Sequence, residues 1–364
     1  MVSTLKVDGI RSNSATSDAI TMASDGTCTA NITNRFNRNL LINGEFLIDQ
    51  RKQGGTYSCD PSGGNPVYGT VDRWQFKNYY GEAGRYDVSQ STDTPNGNFK
   101  KSLKIDVTTA QGTPSGNNYA SFAQQIEAQN IVHLGYGTSD CKQVTLQFWI
   151  KSTKTGAASV GLQRDDNGRL CLKTYTINNS NTWEYKTLTF PADTATGETT
   201  PADNGKGMRV DFVLFSARHS DTTGWHDKSH FESHSSQVNL IDSTSNNIFF
   251  AGIQLEEGAI ATDFVHEDYG TILRKCQRYY VEAGVVLADG TPHRYHNNVS
   301  ASCGHESIPS RSVVGVDSGS GGNMYPTWSR VGGAATNASS TRQFYQGSAN
   351  SQISSALIAF ESEL

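Results

Sequence analysis

The chain is poor in the features that mark several large classes of protein. It has no run of Ala, Leu, Glu and Lys long enough to want a helical bundle, and charged residues make up only 18% of its 364 residues. Its longest apolar runs are strand-sized, which excludes a helical membrane span and membrane insertion of that kind. The opening MVSTLKVDGIRSNSATSD lacks an apolar core of signal-peptide length, so synthesis in a cytoplasm without general secretion is expected. With a net charge of −5 and no basic stripe to neutralise phosphates, nucleic acid is not an expected partner. The six cysteines, Cys28, Cys59, Cys141, Cys171, Cys276 and Cys303, form no CxxC pair. That spacing supports neither a zinc site nor thioredoxin chemistry, and free thiols in a reducing cytosol are expected. Sequons such as Asn31-Ile32-Thr33 and Asn298-Val299-Ser300 carry no meaning without secretion. No 20 to 50 residue repeat stands out.

What is abundant is glycine, 35 residues of it, with many Ser, Thr and Asn. That balance favours short strands joined by turns, and the length suggests roughly two to three domains. The expected fold class is all-β. In KQVTLQFWIKST, Val144, Leu146, Phe148 and Ile150 point one way, and Thr145, Gln147 and Trp149 the other. Met208, Val210, Phe212 and Leu214 share a face in GMRVDFVLFSA, as do Leu103, Ile105 and Val107 in KSLKIDVTT. In NNIFFAGIQLEEG the same alternation groups Phe249, Ala251, Ile253 and Leu255. Period-2 strands with one wet face are what an antiparallel two-sheet sandwich requires.

Four segments are expected. Residues 1–35 form a polar arm in which AITMASDGTCTANIT reads as a hairpin around Asp25-Gly26. So small a unit buries too little to stand alone and is an attachment candidate. Residues 36–266 form the β-sandwich, residues 267–280 an acidic linker and short helix, and residues 281–364 a smaller distal β unit. In DYGTILRKCQRYY, Ile272, Leu273, Cys276, Tyr279 and Tyr280 fall on one helical face. Glu267 and Asp268 at its start suit the helix dipole. A helix of two to three turns is not stable alone, so this stripe must pack on a domain or on symmetry mates. Packing about a three-fold axis is the expectation, with Cys276 a small buried hydrophobe.

An ordered series of segments carries a family resemblance: NRNLLINGEFLIDQR, VDRWQF, QVTLQFWIKSTKTG, TINNSNTWEYKTLTFPADT and IQLEEGAIATDFVHEDYGTILRKCQRYY. Over residues 36–280 it resembles tail fibre proteins of tailed bacteriophages, including marine cyanobacterial phages. Their main domain is similar to a carbohydrate-binding-module jelly roll. STLKVDGI and IAFESEL are similar to the first and last segments of such proteins. The resemblance implies a virion structural protein in the phage tail and a homotrimer. The N-terminal arm would dock on other tail proteins, and the C-terminus would face the host surface glycan or receptor. A purely architectural role, as a knob, connector or head decoration, is the alternative, and a polysaccharide-degrading spike a further one.

Candidate chemistry is sparse. Sugar-binding sandwiches stack pyranose rings on exposed aromatics, which makes Trp149 and the loop residue Trp225 candidate platforms. Each could equally cover a sheet face or a subunit contact, while Trp74 and Trp183 read as core anchors. In the distal unit Tyr295, Tyr325 and Trp328, with Tyr345, are candidate tip residues, since loops carry recognition. His226, His230 and His234 recur every four residues and are weak metal candidates, though their Ser- and Gly-rich surroundings argue against a helix. His219, His293 and His296 could add ligands only across a symmetry axis. No cofactor is expected. Adjacent acids such as Asp165-Asp166, Glu256-Glu257 and Glu267-Asp268 read as solvated turns, so the chain is not expected to be an enzyme.

Overall fold

A computed structural model describes residues 7–11, 13, 20–22, 24, 28–30, 38–59, 67–79, 84–164, 168–195, 199–228, 232–285, 294–297, 312–317, 328–331, 343–347 and 356–361. For residues 28–30, Tyr79 and everything from residue 281 onward it gives the course of the backbone only.

Near the N-terminus β1 (Gly9–Ile10), β2 (Ile20–Met22) and β3 (Cys28–Ala30) form a three-stranded antiparallel sheet. The large domain uses β4 (Tyr57–Cys59), β5 (Gln75–Tyr79), β6 (Arg85–Ser91), β7 (Ser102–Thr109), β8 (Tyr119–Glu127) and β9 (Val144–Ser152). It continues with β10 (Gly156–Arg164), β11 (Arg169–Ile177), β12 (Glu184–Phe190), β13 (Lys206–Ser216), β14 (Trp225–Asp227) and β15 (Asn247–Glu257). These make two six-stranded sheets: a front sheet, β14-β11-β10-β13-β8-β5, and a back sheet, β12-β9-β15-β7-β6-β4. Every pairing between these strands is antiparallel. The chain is thus an all-β protein whose main domain is a sandwich of the jelly-roll kind.

Alternation explains the core. Val144, Leu146, Phe148 and Ile150 of β9 meet Met208, Val210, Phe212 and Leu214 of β13 and Leu103, Ile105 and Val107 of β7 in one buried cluster. At its centre Phe122 stacks on Phe212 at 4.7 Å and tilts against Phe250 at 4.6 Å. Removing such a ring costs about 3–5 kcal/mol, the transfer free energy plus a cavity. Trp74 is buried between Phe46 and Phe122, and its indole N–H donates to the Asn43 carbonyl at 3.1 Å. The Asn43–Phe46 turn lies against β15 so closely that a Cβ on Gly44 would stand 2.1 Å from the Ile253 carbonyl oxygen.

The alternation in β15 breaks. Ile248 and Phe250 enter the core, and so do Ile253 and Leu255, with a register shift against β9 between Ala251 and Gln254. Gly252, at φ +58°, absorbs the extra residue. The bulge turns Phe249 and Ala251 to the opposite face from Ile253 and Leu255, so the expected grouping of these four is corrected.

After the sandwich comes α1 (Tyr269–Gln277), whose cap Asp268 accepts from the Thr271 N–H at 2.9 Å. Beyond it, β16 (Tyr280–Val285), β17 (Arg294–Asn297), β18 (Ser312–Asp317), β19 (Trp328–Val331), β20 (Gln343–Gly347) and β21 (Ala356–Glu361) form two three-stranded sheets, β16-β21-β18 and β17-β20-β19. Among the described residues no helix is long and apolar enough to cross a membrane.

Candidate functional site: the outer faces of the two sheets

Ile272 and Cys276 of α1 pack on Ile48 of the chain's own sandwich, with half-buried Leu273 beside them. Tyr279 and Tyr280 are buried too. The Arg73 guanidinium lies 3.4 Å from the Tyr279 ring centroid, and that of Arg51 3.8 Å from Tyr280. The Glu127 carboxylate accepts two hydrogen bonds from Arg278, both at 2.8 Å, and one from the Tyr279 hydroxyl at 2.6 Å. Burial alone would raise the Glu127 pKa; the Arg278 and Tyr279 hydrogen bonds outweigh it and hold the carboxyl below its usual value. Of the two partners expected for the stripe, a domain or symmetry mates, the chain's own sandwich is the one seen here. Ile272, Cys276, Tyr279 and Tyr280 are covered within one chain, because the sandwich offers an apolar and π-stacking seat beside them.

The histidines do not form the helical stack that their spacing would allow, since Trp225–Asp227 is a strand. His226 Nε2 lies 3.2 Å from Glu232 Oε2, His234 Nε2 lies 3.4 Å from Asp221 Oδ1, and His219 Nδ1 lies 2.9 Å from Ser233 Oγ. Each is turned to its own partner, while His230 and His293 lie outside the described residues. Among the described residues no group of His, Cys, Asp and Glu is placed to hold a metal.

The tryptophans are redistributed. Trp225 is half-buried, packs against the core and meets Tyr136 edge-on at 5.6 Å. Its indole donates to the Pro191 carbonyl at 2.7 Å, so it is a brace and not an open platform. Trp183, expected in the core, is half-buried at the surface just before the edge strand β12, donating to Asp93 Oδ1 at 3.0 Å. Trp149 faces outward as expected. Tyr295 lies opposite Tyr345 in the β17–β20 pair, His296 opposite Phe344, and Trp328 opposite Gly347 in β19–β20. Tyr325 lies outside the described residues.

The front sheet turns an unexpected surface outward. Its registers align Gln125, Arg209, Gln163, Leu170 and His226 in one row across β8, β13, β10, β11 and β14. The next row is Gln75, Ala123, Asp211, Gly161 and Leu172. A third carries Lys77, Ser121, Val213 and Ser159. Ala123, Gly161, Ser121 and Ser159 keep the floor low, and the amide and charged side chains rise beside them. These polar side chains are all buried, although they point away from the core. Asp211 accepts from the Tyr119 hydroxyl at 2.5 Å and from Arg209 at 3.3 Å. Burial, and then the Asp211 charge, push the Tyr119 pKa well up, so its hydroxyl stays a donor.

Two residues here stand out. Gln75 is 1% exposed and Gln125 4%, yet Gln75 Nε2, Gln75 Oε1 and Gln125 Oε1 find no hydrogen-bond partner among the described residues. A buried polar atom left so costs about 1–3 kcal/mol. No pattern in the sequence marks them, because an outward glutamine on an alternating strand reads as ordinary solvated face.

The back sheet is different. Tyr185 and Trp149 are directly opposite on β12 and β9, with ring centroids 5.2 Å apart and planes inclined by 48°. Tyr185 is 46% exposed, and its hydroxyl donates to Gln147 Oε1 at 2.5 Å. Phe99 continues the strip and contacts Phe264 at 5.4 Å. Residues 258–265 strap the other end of this face, through Thr145 and Thr189 donating to the Gly258 and Ala259 carbonyls and Thr262 donating to Glu256.

No family model matches the chain, and no curated protein matches it. Among solved structures it is similar to the enzymatically active domain of bacteriophage CBA120 tailspike protein 4, at 16% identity and TM-score 0.31. That match covers 61% of this chain and only 22% of the tailspike. It is also similar to a family 11 carbohydrate-binding module from Clostridium thermocellum in complex with a mixed-linked tetrasaccharide, at 13% identity and TM-score 0.27, covering 57% of this chain and 98% of the module. A third is the xylan-binding CBM22-2 domain of Paenibacillus barcinonensis, at 15% identity and TM-score 0.28, covering 56% and 99%. At these scores none of them bears on the assignment of a site.

Proposed function

We propose that this protein binds glycans non-covalently through the outer face of the front sheet, as a receptor-binding structural component of a phage tail fibre. The observation that carries the binding reading is the pair Gln75 and Gln125, buried carboxamides that a ligand offering both donors and acceptors would satisfy. Sugar hydroxyls do both. Arg209 and Asp211 neutralise one another, which suits an uncharged stretch of glycan, and Leu170 and Leu172 give an apolar rest for its C–H face. Single contacts of this kind are weak; copies related by trimer symmetry, and many fibres per particle, supply avidity. In this reading residues 1–35 attach the chain to other tail proteins. Tyr295, Tyr325 and Trp328 lie in the outward unit, and the protein is located in the virion.

The test is glycan-array and whole-host-cell binding by the full chain, beside Gln125→Ala. Binding by the parent that weakens about tenfold in the variant supports the reading, the loss expected for one or two hydrogen bonds. No binding to any host glycan or host cell by the parent removes the adhesin role and leaves an architectural one. Release of reducing ends from host polysaccharide would instead mark a degrading spike.

A further inference from the structure

We propose that the outer face of the back sheet is a second, separate sugar-binding surface, on which an unbranched, uncharged oligosaccharide lies across Tyr185 and Trp149, with buried Phe99 supporting the rings. This does not rest on the front-sheet reading, because the two faces share no residue.

The strip is built and not incidental. A Cβ on Gly252 would stand 2.7 Å from the Phe99 ring, so the bulge that reverses β15 also lets that ring lie over its backbone, with Trp149 Cδ1 beside it at 3.6 Å. Phe264, carried by the strap, closes the strip from the other side. A second aromatic pair, Trp183 and Phe249 at 6.2 Å, borders it. Trp183 is two residues from Tyr185, which places the two groups of rings roughly 7 Å apart along the strands.

Charge selects the ligand. Lys151 is paired with Asp93, which also receives the Trp183 indole N–H. Glu256 is held by the Thr262 backbone and hydroxyl, at 2.8 and 2.6 Å, with Arg38 at 4.0 Å. The Lys151 charge is thus matched at the strip, and the Glu256 carboxylate is held by hydrogen bonds. What Tyr185 presents is its ring, since its hydroxyl is already spent on Gln147, and burial followed by the nearby Glu256 and Asp263 raises its pKa. An aromatic surface with a paired, hydrogen-bonding rim matches a molecule with an apolar face and a hydroxyl edge, which a pyranose ring is.

The experiment titrates the full chain with gluco-, galacto-, manno- and xylo-oligosaccharides, following the five tryptophan indole N–H signals by NMR. The Trp149 signal is assigned from Trp149→Phe. The expected result is a shift of the Trp149 signal that saturates with at least one of the four. Tyr185→Ala should weaken that response about tenfold, Tyr185→Phe should retain it because only the hydroxyl is lost, and Gln125→Ala should leave it untouched. An unmoved Trp149 signal in a chain that still binds through Gln125 overturns this inference and leaves the front-sheet reading standing. A moved Trp149 signal with no effect of Gln125→Ala on any binding does the reverse. Absence of binding at either face overturns both. A molar mass in light scattering that falls in Tyr185→Ala would assign the strip to a second copy of the chain, which also overturns it.

Discussion

The two sheets share one apolar core and turn outward surfaces of opposite character. The front face is polar, with outward side chains that are buried and amide atoms on Gln75 and Gln125 left unpartnered among the described residues. The back face is aromatic and partly open, and Lys151 there is paired with Asp93. On the proposed reading, stability and binding are opposed on the first and nearly independent on the second. Even within β8 the contrast is sharp: Glu127 is saturated by Arg278 and Tyr279, while Gln125, on the same face one pleat away, keeps an unmet acceptor.

The largest expected effect is on the front face. Arg209→Ala strips a buried carboxylate of its guanidinium and should cost about 3–5 kcal/mol in urea unfolding, along with glycan binding. A loss under 1 kcal/mol would mean that Asp211 is held well enough by Tyr119 alone. On the back face, Gly252→Ala puts a side chain at φ +58° and against Phe99, and should destabilise by about 1–3 kcal/mol. It should also displace the Trp149 indole signal.

The sharpest test of the contrast is Gln75→Leu, expected to raise stability by about 1–2 kcal/mol while weakening glycan binding. A variant that is both more stable and equally able to bind would detach Gln75 from function. At the border with α1, acidity should act through Glu127. Its pKa is lowered on folding from the ordinary 4.5, so its contribution is present above that value and is lost as pH falls through the folded value. The protection factors of residues 272–279, taken against the intrinsic exchange rate at each pH, should therefore fall below about pH 4.5, and Glu127→Gln should flatten that dependence. The smallest effect is Tyr185→Ala, which should destabilise by about 1 kcal/mol, since its ring is half exposed and pairs with Trp149.

Much of the scaffold was legible. Alternation in β7, β9 and β13 named the core side correctly, because each strand buries one face and period-2 patterning records which. The acidic start and the apolar stripe of α1 were legible too, although the capping role of Asp268 and the stripe's partner were not. A helix face says that it must be buried, not against what. The failures share a cause. Gly252 was the only trace of the bulge that turned Phe249 and Ala251 outward, and a glycine in a strand does not announce its φ. Trp183 and Trp225 exchanged surface and brace roles, because neighbours distant in sequence decide whether a ring is covered. Gln75, Gln125, Arg209 and Asp211 looked like an ordinary wet face, and only the registers of β5, β8, β13 and β10 bring them into adjoining rows.

The sequence alone determined an all-β chain, which residues of most core strands face inward, and where the short helix begins. Those properties are local: they follow from the two-residue period of a strand, the 3.6-residue period of a helix and the acidic residues at its start. Tertiary structure decided that the helix stripe seats on its own sandwich, that one outward face is polar and the other aromatic, and which side chains stand together on each. Those properties depend on strand register and on one bulge, which bring together residues far apart in the chain, such as Phe99 and Gly252.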